Sequence, residues 1–391
     1  VRGLTVKLRE LAVLAVLLTI QFMGPFSGNM IMPMFKALKS DFQVEIFLLS
    51  LSITLYMIPF SIFQLFAGFI SDLLLGRKKT ITIGTATYCI GSFLIASSRN
   101  IWTFIASRLI QGVGNALVTP MVMATVGDLY PREVRGRIMG LMAVSVTLGG
   151  SLGPLAGGYF ASTNWRLGYL LLATLSGACA PLIHILMPKA RSKGGGNAME
   201  MLWRIKAIAL NAKVMMLCSL GFILFFSRIS FLTYLSDYLT LPPHSLKSEI
   251  IGAYLSLSGI GGIISGFITG FLADKVGRRR TSIIGFALYI MVLSAFLMPT
   301  WHEHMPILML MLGFASTMSL TPINTLIVEV DPQHRGIAAS MYGFIRFLGY
   351  ASAPLAAYPL YKYALFQGVV ALSVASLLAG IAIIVGLVRE D

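Results

Sequence analysis

Three arginines stand where a charge is costly. Arg108, Arg228 and Arg346 each fall inside a long apolar run, and an ionisable group in such a place is by default a functional one. Arginine keeps its proton at any relevant pH, so none of the three can carry a proton; each can hold an anion or orient a neighbour. No carboxylate falls near the middle of an apolar run. Asp237, Asp128 and Glu329 lie at run ends and, with His184, are the titratable groups that remain. A second set is defined by spacing. Gly76-Arg77 and Gly277-Arg278 are tight basic bends, preceded by Asp72 and Asp274. An acid one turn from such a bend can approach the exposed N–H groups at another helix's start, which favour an anion. Arg77 and Arg278 can then pair with Asp128 and Glu329. Such pairs would latch one helix arrangement against another. The alternative, that these charges only fix topology, explains the arginines but not the acids.

Other chemistry finds no residues to do it. There is no Gly-Lys dipeptide and hence no phosphate-binding loop. His302-Glu303-His304 lacks the i, i+4 spacing of a helical metal site, and no nucleophile elbow occurs. Cys89, Cys179 and Cys218 all lie in apolar runs and read as packing residues. Neither an enzyme, nor a metal site, nor a cofactor is expected.

Composition says what must position the arginines. Of 391 residues, 57% are hydrophobic and 12% charged, against roughly 25% charged in an ordinary soluble chain. So few charges cannot coat a soluble globule of this size. Apolar runs of about 20 residues cross a bilayer, and twelve are found, near 11–34, 47–71, 80–98, 101–126, 138–160, 167–187, 213–236, 250–273, 281–299, 306–328, 337–361 and 364–388. The first shows no cleavage pattern of a signal peptide. Threading the chain through twelve crossings puts 21 of the 30 Lys and Arg residues on the side of both termini and six on the other. That asymmetry predicts cytoplasmic termini in a plasma (inner) membrane. It also turns the net charge of +15 into attraction for inner-leaflet lipid rather than for nucleic acid. The Gly194-Gly195-Gly196 stretch marks a flexible linker, dividing the chain into an N-terminal bundle (1–188), a linker (189–212) and a C-terminal bundle (213–391). Within the linker, Met199 to Ala209 suits either a surface-lying amphipathic helix or a solvated loop.

The punctuation repeats after about 200 residues. Gly76-Arg77-Lys78 falls on Gly277-Arg278-Arg279, Asp128 on Glu329, Arg135-Gly136 on Arg335-Gly336 and Pro154 on Pro354. Two six-span halves in parallel repeat are a transporter signature, since one half can rock against the other around a central site.

The motifs in these halves resemble the major facilitator superfamily, and in particular its twelve-helix drug:proton antiporter branch. The stretch Gly270-Phe-Leu-Ala-Asp274-Lys-Val-Gly277-Arg278-Arg279-Arg280 matches the family's loop motif, and Gly68 to Lys79 is a copy with one extra residue between Asp72 and Gly76. Arg108-Leu-Ile-Gln111-Gly112 matches its fourth-helix motif, and Gly153-Pro154-Leu-Ala-Gly157-Gly158 resembles the antiporter motif of the fifth. The resemblance covers the whole chain. It implies an all-α membrane fold of two six-helix bundles, a monomer, and export of amphipathic small molecules in exchange for protons by alternating access. It places Asp72 near the start of the eleventh helix and Asp274 near the start of the fifth. It also sets the fifth helix against the eighth and the second against the eleventh, where glycine faces allow either sliding or tight static packing.

The same resemblance puts the first, fourth, seventh and tenth helices around the cavity. Gln21, Asn29, Gln111, Asn115, Asn324 and Arg228 are the expected polar contacts, with Phe22, Phe26, Phe225 and Tyr234 in the apolar wall. The missing membrane-depth acid leaves two cargoes open. One is the cationic or neutral amphiphile of the family; the other is an organic anion or lipid-like acid, with different ion coupling or none. A receptor built on a transporter scaffold is a third reading.

Overall fold

The computed structural model describes residues 2–70, 76–188, 198–331 and 334–389. Among them, nine helices are long and apolar enough to cross a membrane. Each half contributes a third helix kept short and polar at its start by a cluster of cations. These are α4 (Arg77–Ala96, 20 residues) and α11 (Arg278–Ala295, 18 residues), and 18 residues still span about 27 Å. The last helix, Arg335–Arg389, holds two crossings that fold back at Leu365. Nine helices, two short ones and one doubled crossing give the twelve.

The N-terminal half consists of α1 (Arg2–Met30), the short α2 (Phe35–Phe42), α3 (Ile46–Ile70), α4, α5 (Ile101–Leu129), α6 (Arg132–Thr163) and α7 (Trp165–Leu186). After α8 (Ala198–Ala209) come α9 (Ala212–Tyr238), α10 (Ser248–Val276), α11, α12 (Met305–Val330) and α13 (Arg335–Arg389). Of the linker, 189–197 lies outside the described residues and the rest is largely α8. Asn100, Asn164 and Asn211 cap α5, α7 and α9 with their side-chain oxygens. The bends before α4 and α11 need glycine: Gly76 and Gly277 have φ of 71° and 96°, which a side chain resists.

The repeat is built into the packing. Gly149 on α6 lies under the Phe22 carbonyl of α1, and Gly349 on α13 lies under the Phe222 carbonyl of α9. Gly84 packs on Val118 and Gly285 on Ser319. Arg77 pairs with Asp128 between α4 and α5, and Arg278 with Glu329 between α11 and α12. Each relationship recurs about 200 residues on, so the two halves are the same six-helix unit.

The halves meet along two seams. α3 runs beside the first crossing of α13, where Thr54 donates to the Ala351 carbonyl at 2.7 Å and Ser61 to the Phe344 carbonyl at 2.8 Å. α6 runs beside α10, with Gly158 against Ser248, Gly252 against the Pro154 carbonyl and Gly259 against Ser151. On this second seam the contact stops at Gly259. Gly136, Gly140, Gly266 and Gly270 face empty space, and further along α10 only Gly261, Ser265, Thr269 and Ala273 stay buried, at a spacing that faces one side. The bundle is therefore shut at the end bearing Lys39 and Asp237, here the far end. Along the α6–α10 seam it is parted at the end bearing Arg77 and Arg278, the basic end.

Candidate functional site

Arg108 is buried completely, beyond α5's own surface. Its guanidinium stacks 4.1 Å over the Tyr56 ring of α3 and donates to Ser27 of α1 at 3.0 Å and to Gln111, one turn along, at 2.7 Å. Gln111 passes the network to Ser92 of α4 at 2.9 Å. Nε and the second terminal nitrogen have no acceptor. No acid joins this network, so the charge is held by dipoles and one aromatic face.

The C-terminal half presents its two arginines differently, each half-buried. Arg228 on α9 donates to Ser316 of α12 at 3.1 Å. Arg346 on α13 reaches Asn324 of α12 at 3.5 Å. Its guanidinium lies among Phe347 (4.7 Å), Tyr342 (5.2 Å) and Phe225 (5.6 Å), and its Nε is buried with no partner. Phe225 in turn touches Tyr350, centroids 6.4 Å apart. Tyr350 reaches across the midline towards Gly28 and Tyr56 of the other half. Side chains thus lead from Arg346 through Phe225 and Tyr350 to Gly28, beside which Tyr56 carries Arg108.

At the far end the closure is polar. Lys39 of α2 meets Asp237 of α9 at 2.8 Å, and Tyr361 of α13 donates to the other oxygen of the same carboxylate at 2.8 Å. Asp237 is 2% exposed. Ser236 donates to the Met32 carbonyl at 2.7 Å, Tyr234 binds both Ser50 and the Pro354 carbonyl, and Tyr358 bonds to Glu45. Beside this seal, His244 sits against Trp301 and His302; burial and the neighbouring imidazole push its pKa below the ordinary value.

The structure divides the expected cargo contacts. Phe22, Asn29, Phe225 and Arg228 are half-buried and Asn324 is exposed, so packing leaves part of each of these five side chains uncovered. Gln21, Phe26, Gln111, Asn115 and Tyr234 are buried, because each is occupied by packing or by the networks just described. Gln111 serves Arg108, and Tyr234 seals the far end. The glycine motif also divides. Gly153 and Gly157 lie under the Phe26 and Met30 carbonyls of α1, within their own half, and only Gly158 and the Pro154 carbonyl face α10. The cause is helical geometry: residues four apart share a face, so 149, 153 and 157 form one stripe while 154 and 158 form the next.

The Arg77–Asp128 and Arg278–Glu329 pairs form as their spacing suggests, each within one half. Asp274, expected near the start of α6, is exposed and has no ionic partner among the described residues, because α6 and α10 have separated at that end. Asp72 lies outside the described residues. Lys39, Tyr361, Ser316, Tyr56 and Tyr350 are participants that sequence reasoning missed. Lys39 reads from sequence as a loop cation, and nothing in its neighbourhood announces Asp237, 198 positions away.

Comparison with known proteins agrees with this architecture. The sequence profile of the Major Facilitator Superfamily matches residues 17–354. The multidrug efflux protein YfmO of Bacillus subtilis is 27% identical over 342 residues, covering 86% of this chain and 82% of that protein. The vacuolar membrane amino acid uptake transporter fnx2 of Schizosaccharomyces pombe is 37% identical over 123 residues, 31% of this chain and only 21% of that protein. Among solved structures, a bacterial homologue of the human lysosomal transporter Spinster superposes with a TM-score of 0.78 over 97% of both chains at 16% identity.

Proposed function

Because the chain belongs to the Major Facilitator Superfamily, a family of transporters, we propose that it exports amphipathic small molecules by alternating access, with the basic end facing the cytoplasm of an inner or plasma membrane. One observation carries the reading. Two repeats of one six-helix unit are closed together at the far end by cross-half hydrogen bonds and glycine contacts, and stand apart towards the basic end along the α6–α10 seam. A static scaffold has no need of two seams of which one is half open. A pore would not be shut at one end by a buried ion pair and open at the other.

Efflux as the direction rests on kinship with the multidrug efflux relative, and protons as the coupling ion on the resemblance of Gly153-Pro154-Leu-Ala-Gly157-Gly158 to the antiporter motif. The half-buried Phe22 and Phe225 and the exposed Asn324 offer the apolar wall and sparse polar contacts that suit an amphiphile. The test is flux in proteoliposomes holding the purified chain, using labelled amphiphiles with and without an imposed pH gradient. Saturable flux accelerated by the gradient is expected. Flux indifferent to the gradient overturns proton exchange, and absence of any saturable flux overturns transport.

A further inference from the structure

We infer that the cargo carries a negative head group, a carboxylate or phosphate on an apolar body, and that Arg228 and Arg346 are its anchors. The inference rests on the transport reading above and specifies its substrate class. Three guanidinium groups stand at membrane depth, Arg108 inside the N-terminal half and Arg228 and Arg346 in the C-terminal half, and none has a carboxylate partner among the described residues. No acid in the sequence falls near mid-span either. Arginine cannot shed its charge to lower the cost of burial. While the basic end is parted, water reaches the half-buried Arg228 and Arg346. When the halves close around cargo that water is displaced, and the positive charge must be matched by something the chain does not supply. An anionic head group matches it; a cationic one adds to it.

The geometry gives the head group a route. Arg228 sits level with Ser316 and Arg346 with Asn324, eight residues apart on one helix, or about 12 Å along its axis. Arg346 is nearer the parted end. Its guanidinium is steadied by the faces of Phe225, Tyr342 and Phe347, which leave Nε without an acceptor. A head group entering from the basic end meets Arg346 first and Arg228 deeper, and the half-buried Phe225 lines the path for an apolar tail. Arg108, buried behind Tyr56, adds to the field without touching cargo.

The test is binding to the full-length protein in neutral detergent, by calorimetry, with four probes: dodecanoate, dodecyl phosphate, dodecyltrimethylammonium and inorganic phosphate. Dodecanoate or dodecyl phosphate is expected to bind at least tenfold more tightly than the ammonium analogue. Arg228→Gln and Arg346→Gln should each weaken the anion by about tenfold, as loss of a charge-assisted hydrogen bond does. The Lys variants should retain part of that affinity. Arg166→Gln, which alters an arginine paired with Asp41 at the far end, should change nothing and controls for general charge. Preference for the ammonium probe, or Gln variants that bind anions as well as the parent, overturns the proposal. Inorganic phosphate binding as tightly as dodecyl phosphate assigns the site to a free anion and removes the amphiphile. Weak binding of every probe overturns the anion site alone, since alternating access is read separately from end-to-end distances.

Discussion

Lys39 and Asp237 belong to different halves and meet at 2.8 Å across the closed far end, the carboxylate buried and completed by Tyr361. This ion pair cannot persist once the far end opens. It is a strut of the conformation seen here rather than of the fold, because each partner sits at the end of a helix that its own half already holds.

Removing the strut should therefore shift the conformational balance and spare the bundle. Lys39→Ala leaves Asp237 with only Tyr361, and the cost of an underpaired buried charge is on the order of 2 kcal/mol, roughly thirtyfold in population. Far-end accessibility, read by labelling of an engineered cysteine at Ser236, should rise. Asp237→Asn keeps an acceptor for Tyr361 and should have the smaller effect. The double variant should fall short of the sum of the two, as contacting partners do. Additive effects would separate the residues.

The two ends of the α6–α10 seam make opposite predictions. A side chain at Gly158 or Gly252 would overlap backbone atoms of the other half, so Gly252→Val should prise the far end open. Gly266 and Gly270 face empty space, so Gly266→Val should leave this state intact and obstruct closure of the basic end. Distances between spin labels on α6 and α10 distinguish the two. Equal behaviour of the two variants would mean that the seam does not slide.

Arg108 is a buried cation without an acid. An apolar residue of similar size removes the cost of holding an unpaired cation away from water along with its hydrogen bonds to Ser27 and Gln111. Arg108→Met should accordingly keep or raise the thermal stability of the purified protein. A large loss would show that Ser27, Gln111 and Tyr56 outweigh the desolvation they offset.

Far-end stability should depend on pH through His244. Its folded-state pKa lies below the ordinary value, so the neutral ring favours the folded state. That contribution is complete above about pH 6.5, the unfolded value, and is lost as pH falls through the folded one. Thermal unfolding followed from neutral to acidic pH should show the parent losing stability relative to His244→Gln. A parallel decline of both would place the sensitivity elsewhere.

Much of this was legible from the sequence. Twelve apolar runs, the Gly-Arg bends and the acids one repeat apart announce themselves locally, and the Arg77–Asp128 and Arg278–Glu329 pairs follow from spacing within a half. What was not legible depends on contacts between segments. Gln111 and Tyr234 have the composition of cargo contacts, and only the tertiary neighbours Ser92, Arg108, Ser50 and Pro354 show them already engaged. Gly153 and Gly158 belong to one motif, yet a rotation of one residue pair sends them to different partners. Lys39 and Asp237 are invisible as a pair because neither constrains its own neighbours.

Paired distances at both ends of one molecule bear most directly on the rocking of two halves. With spin labels across the far end (positions 45 and 358) and across the basic end (positions 140 and 270), addition of a bound amphiphile or a change of pH should lengthen one distance while shortening the other. Ends that open together, or distances that never change under conditions supporting flux, would contradict alternating access.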